Sequence, residues 1–352
     1  MKLGLRGALG ILLSVALLAF ALRDVSFVEV WSELRRSDPW YFAGATVLGT
    51  LIFPLRARRW RTILEPVAPG LPFGSLWRST AIGAMVNNVV PARAGEIARA
   101  FALTRETPRV GFSASLASLA VDRLFDAIVV LLLLLLAMLD PVFGERIGQG
   151  DRSLVVGSAI FGAVGLGAVL VILYAIVAFP SQIIRVYEAF ARRVAPRFEE
   201  RGRAWLRDFA DGLGVLRHPG RFLAVLWWTT LHWLTNAAAL WLGFRAVGID
   251  VPFSAALLVQ GLIAIGVALP AAPGFFGPFE LIGKAGLGIY GVPGTQAVSW
   301  ALGFHLLTFV PITLIGAYYF VRLGLDFGDL RRTADGEAAT DEVESPVPAT
   351  RT

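Results

Sequence analysis

The sequence predicts an all-α fold: a polytopic transmembrane helical bundle with two broken or re-entrant segments. Three observations carry this. The 352 residues are 56% hydrophobic and only 16% charged, with a mean hydropathy of +0.66, whereas a soluble domain carries about 25% charged residues. Apolar stretches recur evenly along the chain, and the arginines gather between them. A soluble fold would lack polar surface for so much apolar side chain, while a bilayer accepts apolar residues on the outside of a bundle as well as inside it.

The net charge of +6 could suggest nucleic acid, but the basic residues sit in short segments between apolar spans, so no nucleic-acid partner is expected. Only Lys2 and Lys284 are lysines. There is no cysteine and there are three histidines, so neither a disulfide framework nor a zinc or haem site is expected, and no cofactor. No phosphate-binding loop, metalloprotease helix or nucleophile elbow occurs, and the chain reads as a non-enzyme.

The elements follow in order. Residues 7–22 are apolar behind Lys2 and Arg6 and read as a retained first span rather than a cleaved signal. A mixed-charge loop, 23–39, leads to a second span at 40–55 that ends at Pro54. The basic run 56–61 follows, with Trp60 read as interfacial. Residues 73–90 are apolar but short, 92–110 are small and basic, and 111–139 carry Asp122, Arg123 and Asp126 before an aliphatic stretch. Residues 154–179 form a clean span. Residues 180–221, with nine arginines and five acids, read as a cytoplasmic amphipathic hairpin region on the membrane surface. Spans at 222–244, 253–269, 275–290 and 296–321 complete a domain of residues 1–332. The acidic tail 333–352 is expected to be disordered. Arginine asymmetry places both termini in the cytoplasm.

Two interruptions carry most of the functional information. Asn87-Asn88-Val89-Val90-Pro91 ends one apolar segment, and Arg93, Glu96 and Arg99 follow at helical spacing. An ordinary cytoplasmic loop and a re-entrant anion site both fit that pattern. Pro270 to Glu280, containing Pro273 and Gly274, interrupts a later segment in a similar way, which suggests a repeat without establishing one. Paired interrupted segments point to a transporter's substrate site. Asp122, Arg123 and Asp126 read either as an internal salt bridge or as part of a pathway. His232, Asn236, Gln260 and His305 are single polar residues in spans, more often helix contacts than ligands. Trp227, Trp228 and Trp233 read as interface anchors.

Four motifs then occur in order: Arg56-x-x-Arg59-Trp60, Asn87-Asn88-x-x-Pro91-Ala92-Arg93-Ala94-Gly95-Glu96-x-x-Arg99, Asp122-Arg123-x-x-Asp126, and Pro270-x-x-Pro273-Gly274-x-x-Gly277-x-x-Glu280. Together they resemble the transmembrane, flippase-like domain of lysylphosphatidylglycerol synthases and its stand-alone relatives, over about residues 5–325. The resemblance implies translocation of a lipid, or lipid-linked group, between leaflets of the cell membrane. The aminoacyl-transferase domain of full synthases is not in this sequence. Relatives often have Tyr-Arg where this chain has Phe304-His305, so a basic contact there is either lost or dependent on protonation.

The expected partner is a membrane lipid of anionic or polyprenyl-phosphate type. The alternative role is a non-transporting subunit that supplies lipid to a glycosyltransferase or lipid synthase. Arg56, Arg59, Arg93 and Arg99 are expected to bind phosphate. Glu96, Asp122, Asp126 and Glu280 are expected to organise these arginines or couple ions, while Asn87, Asn88, Arg123, Pro273, Gly274 and His305 complete the expected site. The two breaks are expected to share one cavity, with arginine partners for Glu96 and Glu280 drawn from Arg56 or Arg59.

Overall fold

A computed structural model describes residues 5–90, 94–146, 164–165, 167–168, 171, 179–194, 200, 202–203, 218–266, 273–328 and 330. Pro91, Arg93, Pro270, the tail 333–352, most of the expected span 154–179 and most of 195–217 lie outside the described residues. The described elements are all helical. They are α1 (Leu5–Leu22), α2 (Phe27–Arg36), α3 (Pro39–Leu64), α4 (Phe73–Val89), α5 (Gly95–Glu106), α6 (Phe112–Met138) and α7 (Pro141–Arg146). Then come α8 (Pro180–Val194), α9 (Pro219–Ala246), α10 (Phe253–Gly266), a 3₁₀ turn at Pro273–Phe275, α11 (Pro278–Gly288) and α12 (Gly294–Arg322).

Local chemistry sets several of these boundaries. Asp38 accepts the N–H of Trp40 at 2.8 Å, with Pro39 opening α3. Glu280 reaches back to the N–H of Gly277 at 2.6 Å and so caps α11. Among the described residues, α12 is long and apolar enough by composition alone to cross a membrane. Helices α3, α6 and α9 have 26, 27 and 28 residues, beyond the ~20 a crossing needs; α3 and α9 carry more polar side chains than α12, and α6 carries Asp122, Arg123 and Asp126.

The sequence placed the end of the second span at Pro54 and a separate basic segment at 56–61. The structure differs: α3 runs unbroken through Pro54 to Leu64. Arg59 and Trp60 are wholly buried in it, because partners distant in sequence neutralise the arginine and pair the indole. Trp60 is therefore not interfacial; it donates to Ser118 Oγ at 2.8 Å and carries the Arg99 guanidinium on its face at 4.1 Å.

The long helices pack directly on one another. Arg59 meets Thr229 and Gly44 meets Leu242, so α3 and α9 are antiparallel. Phe42 meets Gly303 and Gly49 meets Thr308, so α3 and α12 are parallel. Two helical hairpins fill the remaining space. In the first, α4 and α5 pair antiparallel, with Arg78 bonded to Glu106 at the open end. Gly83 faces Gly95 near the tip. A Cβ on Gly95 would lie 2.2 Å from the Gly83 carbonyl oxygen, so only glycine permits this approach. In the second, α10 and α11 pair antiparallel, with Val259 against Gly286 and Gly266 against Ile282. The two hairpins adjoin: Cα atoms of α4 come within 8 Å of the 273–275 turn.

The main core joins Phe244, Trp300 and Phe304 with neighbours from α9, α10 and α11. Large apolar side chains also face outward, including Trp40 at 84% exposure, Leu139 at 77% and Val321 at 77%. A water-soluble monomer rarely leaves so much apolar surface uncovered.

Candidate functional site

Asp122 and Asp126 lie one turn apart on α6 and therefore face the same way. Between them and α3 sits Arg59. Its Nε donates to Asp122 Oδ1 at 2.6 Å and its Nη1 donates to Asp126 Oδ1 at 2.5 Å. Arg99, from α5, reaches the other oxygen of Asp122 at 3.2 Å. Arg123 bridges Glu96 of α5 and Asp126 Oδ2, the latter at 3.3 Å. Trp233 of α9 donates its indole N–H to Asp126 Oδ1 at 2.9 Å. This network ties α3, α5, α6 and α9 together.

Among the described residues its charge does not balance: Arg56, Arg59, Arg99 and Arg123 face Glu96, Asp122 and Asp126, four positive groups against three negative. The surplus falls on Arg56. Among the described residues Arg56 makes no ion pair and its buried Nε has no hydrogen-bond partner. Its side chain lines a cavity of about 300 Å³.

That cavity lies between the network and the two hairpin tips. Asn88 from the first tip and Gly274 from the second both line it. Asn88 donates to Thr313 Oγ1 of α12 at 2.7 Å, while Asn87 accepts the N–H of Gly95 at 2.8 Å and so holds the start of α5. Polar groups from α9 and α10 complete the wall: His232, Asn236 and Gln260. Asn236 donates to Gln260 at 3.2 Å, and the Nδ1 of His232 is buried 4.0 Å from Asp126. Phe53, Phe275 and Phe309 supply apolar lining.

Opposite the network stand His305 and Glu280. His305 Nδ1 lies 2.7 Å from Glu280 Oε1, and its Nε2 lies 2.8 Å from the Gly274 carbonyl oxygen. The ring is stacked against Phe276 at 4.3 Å and lies against Phe279 at 4.5 Å.

The predicted site residues therefore divide. Arg56, Asn88, Arg123, Asp126, Gly274 and His305 line the cavity, and Asn87, Glu96 and Glu280 stand directly behind it. Pro273 opens the turn that carries Gly274. Arg59 and Arg99, expected on phosphate, are buried against Asp122 instead. Glu96 pairs with Arg123, and Glu280 pairs with His305; neither takes Arg56 or Arg59. Trp233, read as an interface anchor, is a ligand of Asp126. Thr229 and Thr313 carried no sequence signal, since a lone threonine in an apolar helix has no distinguishing spacing.

An all-helical bundle around a buried charge network and a partly polar cavity, with large apolar side chains on its outside, is the architecture of a helical membrane protein. Its sequence matches the lysylphosphatidylglycerol synthase transmembrane region over residues 7–316, and the chain belongs to that family. Two relatives, both named UPF0104 membrane protein and both from Methanothermobacter thermautotrophicus, are similar over most of their length. One is 23% identical over 88% of this chain and 94% of the relative. The other is 27% identical over 89% and 91%. Glycosyltransferase AglD of Haloferax volcanii is 35% identical over 121 residues, 34% of this chain and 19% of that protein.

Proposed function

We propose that this protein moves a lipid bearing an anionic phosphate headgroup, of phospholipid or polyprenyl-phosphate type, between the leaflets of the cell membrane. It does so without altering the lipid chemically. The observation that carries this reading is Arg56, a cation with no ion pair among the described residues, facing a cavity from a network with one surplus positive charge. In a low-dielectric interior such a charge calls for a counter-anion. Guanidinium is suited to two-point binding of phosphate, and Asn88, Asn236 and Gln260 add hydrogen-bonding groups around it. The cavity volume sits at the lower end of small-molecule sites, about 300–1,000 Å³, so it fits a headgroup with its acyl chains outside.

The test is reconstitution into phosphatidylcholine vesicles carrying headgroup-labelled phosphatidylglycerol. Protein should expose inner-leaflet phosphatidylglycerol to an external quencher and leave labelled phosphatidylcholine at the protein-free rate. Equal movement of both lipids, or of neither, would rule the reading out.

The likeness to glycosyltransferase AglD favours a second reading, in which the chain presents lipid to a glycosyltransferase without moving it. Deletion would then abolish a partner's product while vesicle assays show no transport.

The orientation we propose has both termini in the cytoplasm, with the first hairpin entering from that side and the second from outside. Arg185, Arg192 and Arg193 are exposed on α8, which suits an anionic inner leaflet. The chain has no cysteine, so single replacements label cleanly. Ser181→Cys should react only from the cytoplasm and Glu145→Cys only from outside. The opposite pattern would invert the topology.

A further inference from the structure

The hydrogen-bond geometry at His305 fixes a minimum number of protons. A backbone carbonyl can only accept, so Nε2, 2.8 Å from the Gly274 oxygen, carries hydrogen. The 2.7 Å approach of Nδ1 to Glu280 Oε1 requires a second hydrogen. Either an imidazolium donates to a carboxylate or a carboxyl group donates to a neutral imidazole. In both forms the pair is neutral overall and holds one removable proton. Without it, two lone pairs face each other in a buried site and the pair becomes an uncompensated anion. The other carboxylate oxygen is occupied by the Gly277 N–H, and no arginine or lysine among the described residues lies within ion-pair distance of Glu280.

The surroundings are equally specific. Across the cavity stand Arg56 of α3, Arg123 and Asp126 of α6, and His232 of α9. Among the described residues, the polar lining groups of α4 and α10 are the neutral Asn88 and Gln260. Lys284, on the same helix as Glu280, is bonded to the Ala21 carbonyl of α1 at 2.8 Å. α1 otherwise meets this region through the backbone of Ser14, against Gly277. Of the acids on α2, which packs on α12, Glu29 accepts from Thr295 at 3.4 Å and Glu33 makes no ion pair with His305.

We propose that the His305–Glu280 pair is a proton-binding site, and that the cavity binds one anionic headgroup and one proton together. This rests on the anionic-lipid reading above and adds its coupling ion. With the proton present, the far wall is neutral and an anion meets only the positive network. With the proton absent, the far wall repels the anion. Linkage makes the effect reciprocal: the anion tightens the proton's binding as the proton tightens the anion's. The proton enters from water onto the Nδ1–Oε1 contact and leaves by the same contact when the anion departs; no other bond is made or broken.

Calorimetry on the intact protein in detergent tests this. Short-chain phosphatidylglycerol below its micellar concentration is titrated in two buffers of different ionisation heat, between about pH 5 and about pH 9. Binding should take up as much as one proton, and affinity should fall by up to about tenfold per pH unit above the midpoint. His305→Gln and Glu280→Gln should each abolish uptake and flatten the pH profile, while His218→Gln, exposed at the start of α9 and outside the cavity lining, should retain both. Binding without proton exchange across this range in the native chain overturns the joint site while leaving the anionic-lipid reading intact, and needs no variant to fold. Uptake that survives both Glu280→Gln and His305→Gln, or that disappears with His218→Gln, overturns the assignment. No binding at any pH removes the anionic-lipid reading and the joint site with it.

Discussion

Replacing Arg59 with leucine is expected to cost the fold about 3–5 kcal/mol and leave little intact protein. Arg59 is fully buried and is the shared partner of Asp122 and Asp126. Its loss leaves Asp122 with only the 3.2 Å contact to Arg99 and Asp126 with the indole N–H and the longer Arg123 contact. Breaking a buried pair is far more damaging than never having built it, because the remaining charge stays desolvated. A triple replacement, Arg59→Met with Asp122→Asn and Asp126→Asn, should therefore recover much of the stability lost in Arg59→Leu. Thermal melts followed by size-exclusion chromatography decide the matter. Native-like melting of Arg59→Leu would mean that the network is dispensable for folding.

Replacing Arg56 with glutamine should do the reverse. Arg56 has no ion pair to lose among the described residues; its removal relieves the burial of a charge and repulsion from Arg123 and Arg59 and gives up attraction to Asp126 and Asp122, so melting should change little. Transport of phosphatidylglycerol in the vesicle assay should drop about 10–100-fold, since hydrogen bonds to charged groups contribute about 1.5–3 kcal/mol each. Arg56→Lys should fall between, keeping the charge and losing the planar fork. Native transport by Arg56→Gln would separate the surplus charge from lipid handling. A buried charge that adds little to stability and is nonetheless present is the expected signature of a functional site.

These two arginines also show how far the sequence could be read. Helical architecture was legible because a bilayer imposes long apolar runs, and the interruptions at Asn87–Pro91 and Pro270–Gly274 announced themselves through proline and glycine. The burial of Arg59 was not legible. Its partners lie 63 and 67 residues away, and a run of closely spaced arginines has the same local signature in a loop as inside a helix whose acids come from elsewhere. The match of Glu280 with His305 was hidden for the same reason: each was visible alone, and only packing of α11 on α12 joins them. Trp233 looked like an interface anchor because indole carries the same composition signal whether its N–H meets water or a carboxylate.

The interior prolines of α3 and α12 bear on how such a bundle could change shape. Pro54 and Pro311 each remove one backbone hydrogen bond, to the carbonyls of Thr50 and Leu307. The two helices run parallel, and contacts at Gly49–Thr308 and Phe42–Gly303 put the prolines at about the same height, within roughly one turn. Phe53 and Arg56 flank the first proline, Phe309 and Ile312 the second, and all four line the cavity. Bending stiffness is thus lowest in both helices at the level of the cavity. The level at which both columns lack a backbone hydrogen bond is the level of the cavity, and Arg59 with its carboxylates lies on one side of it.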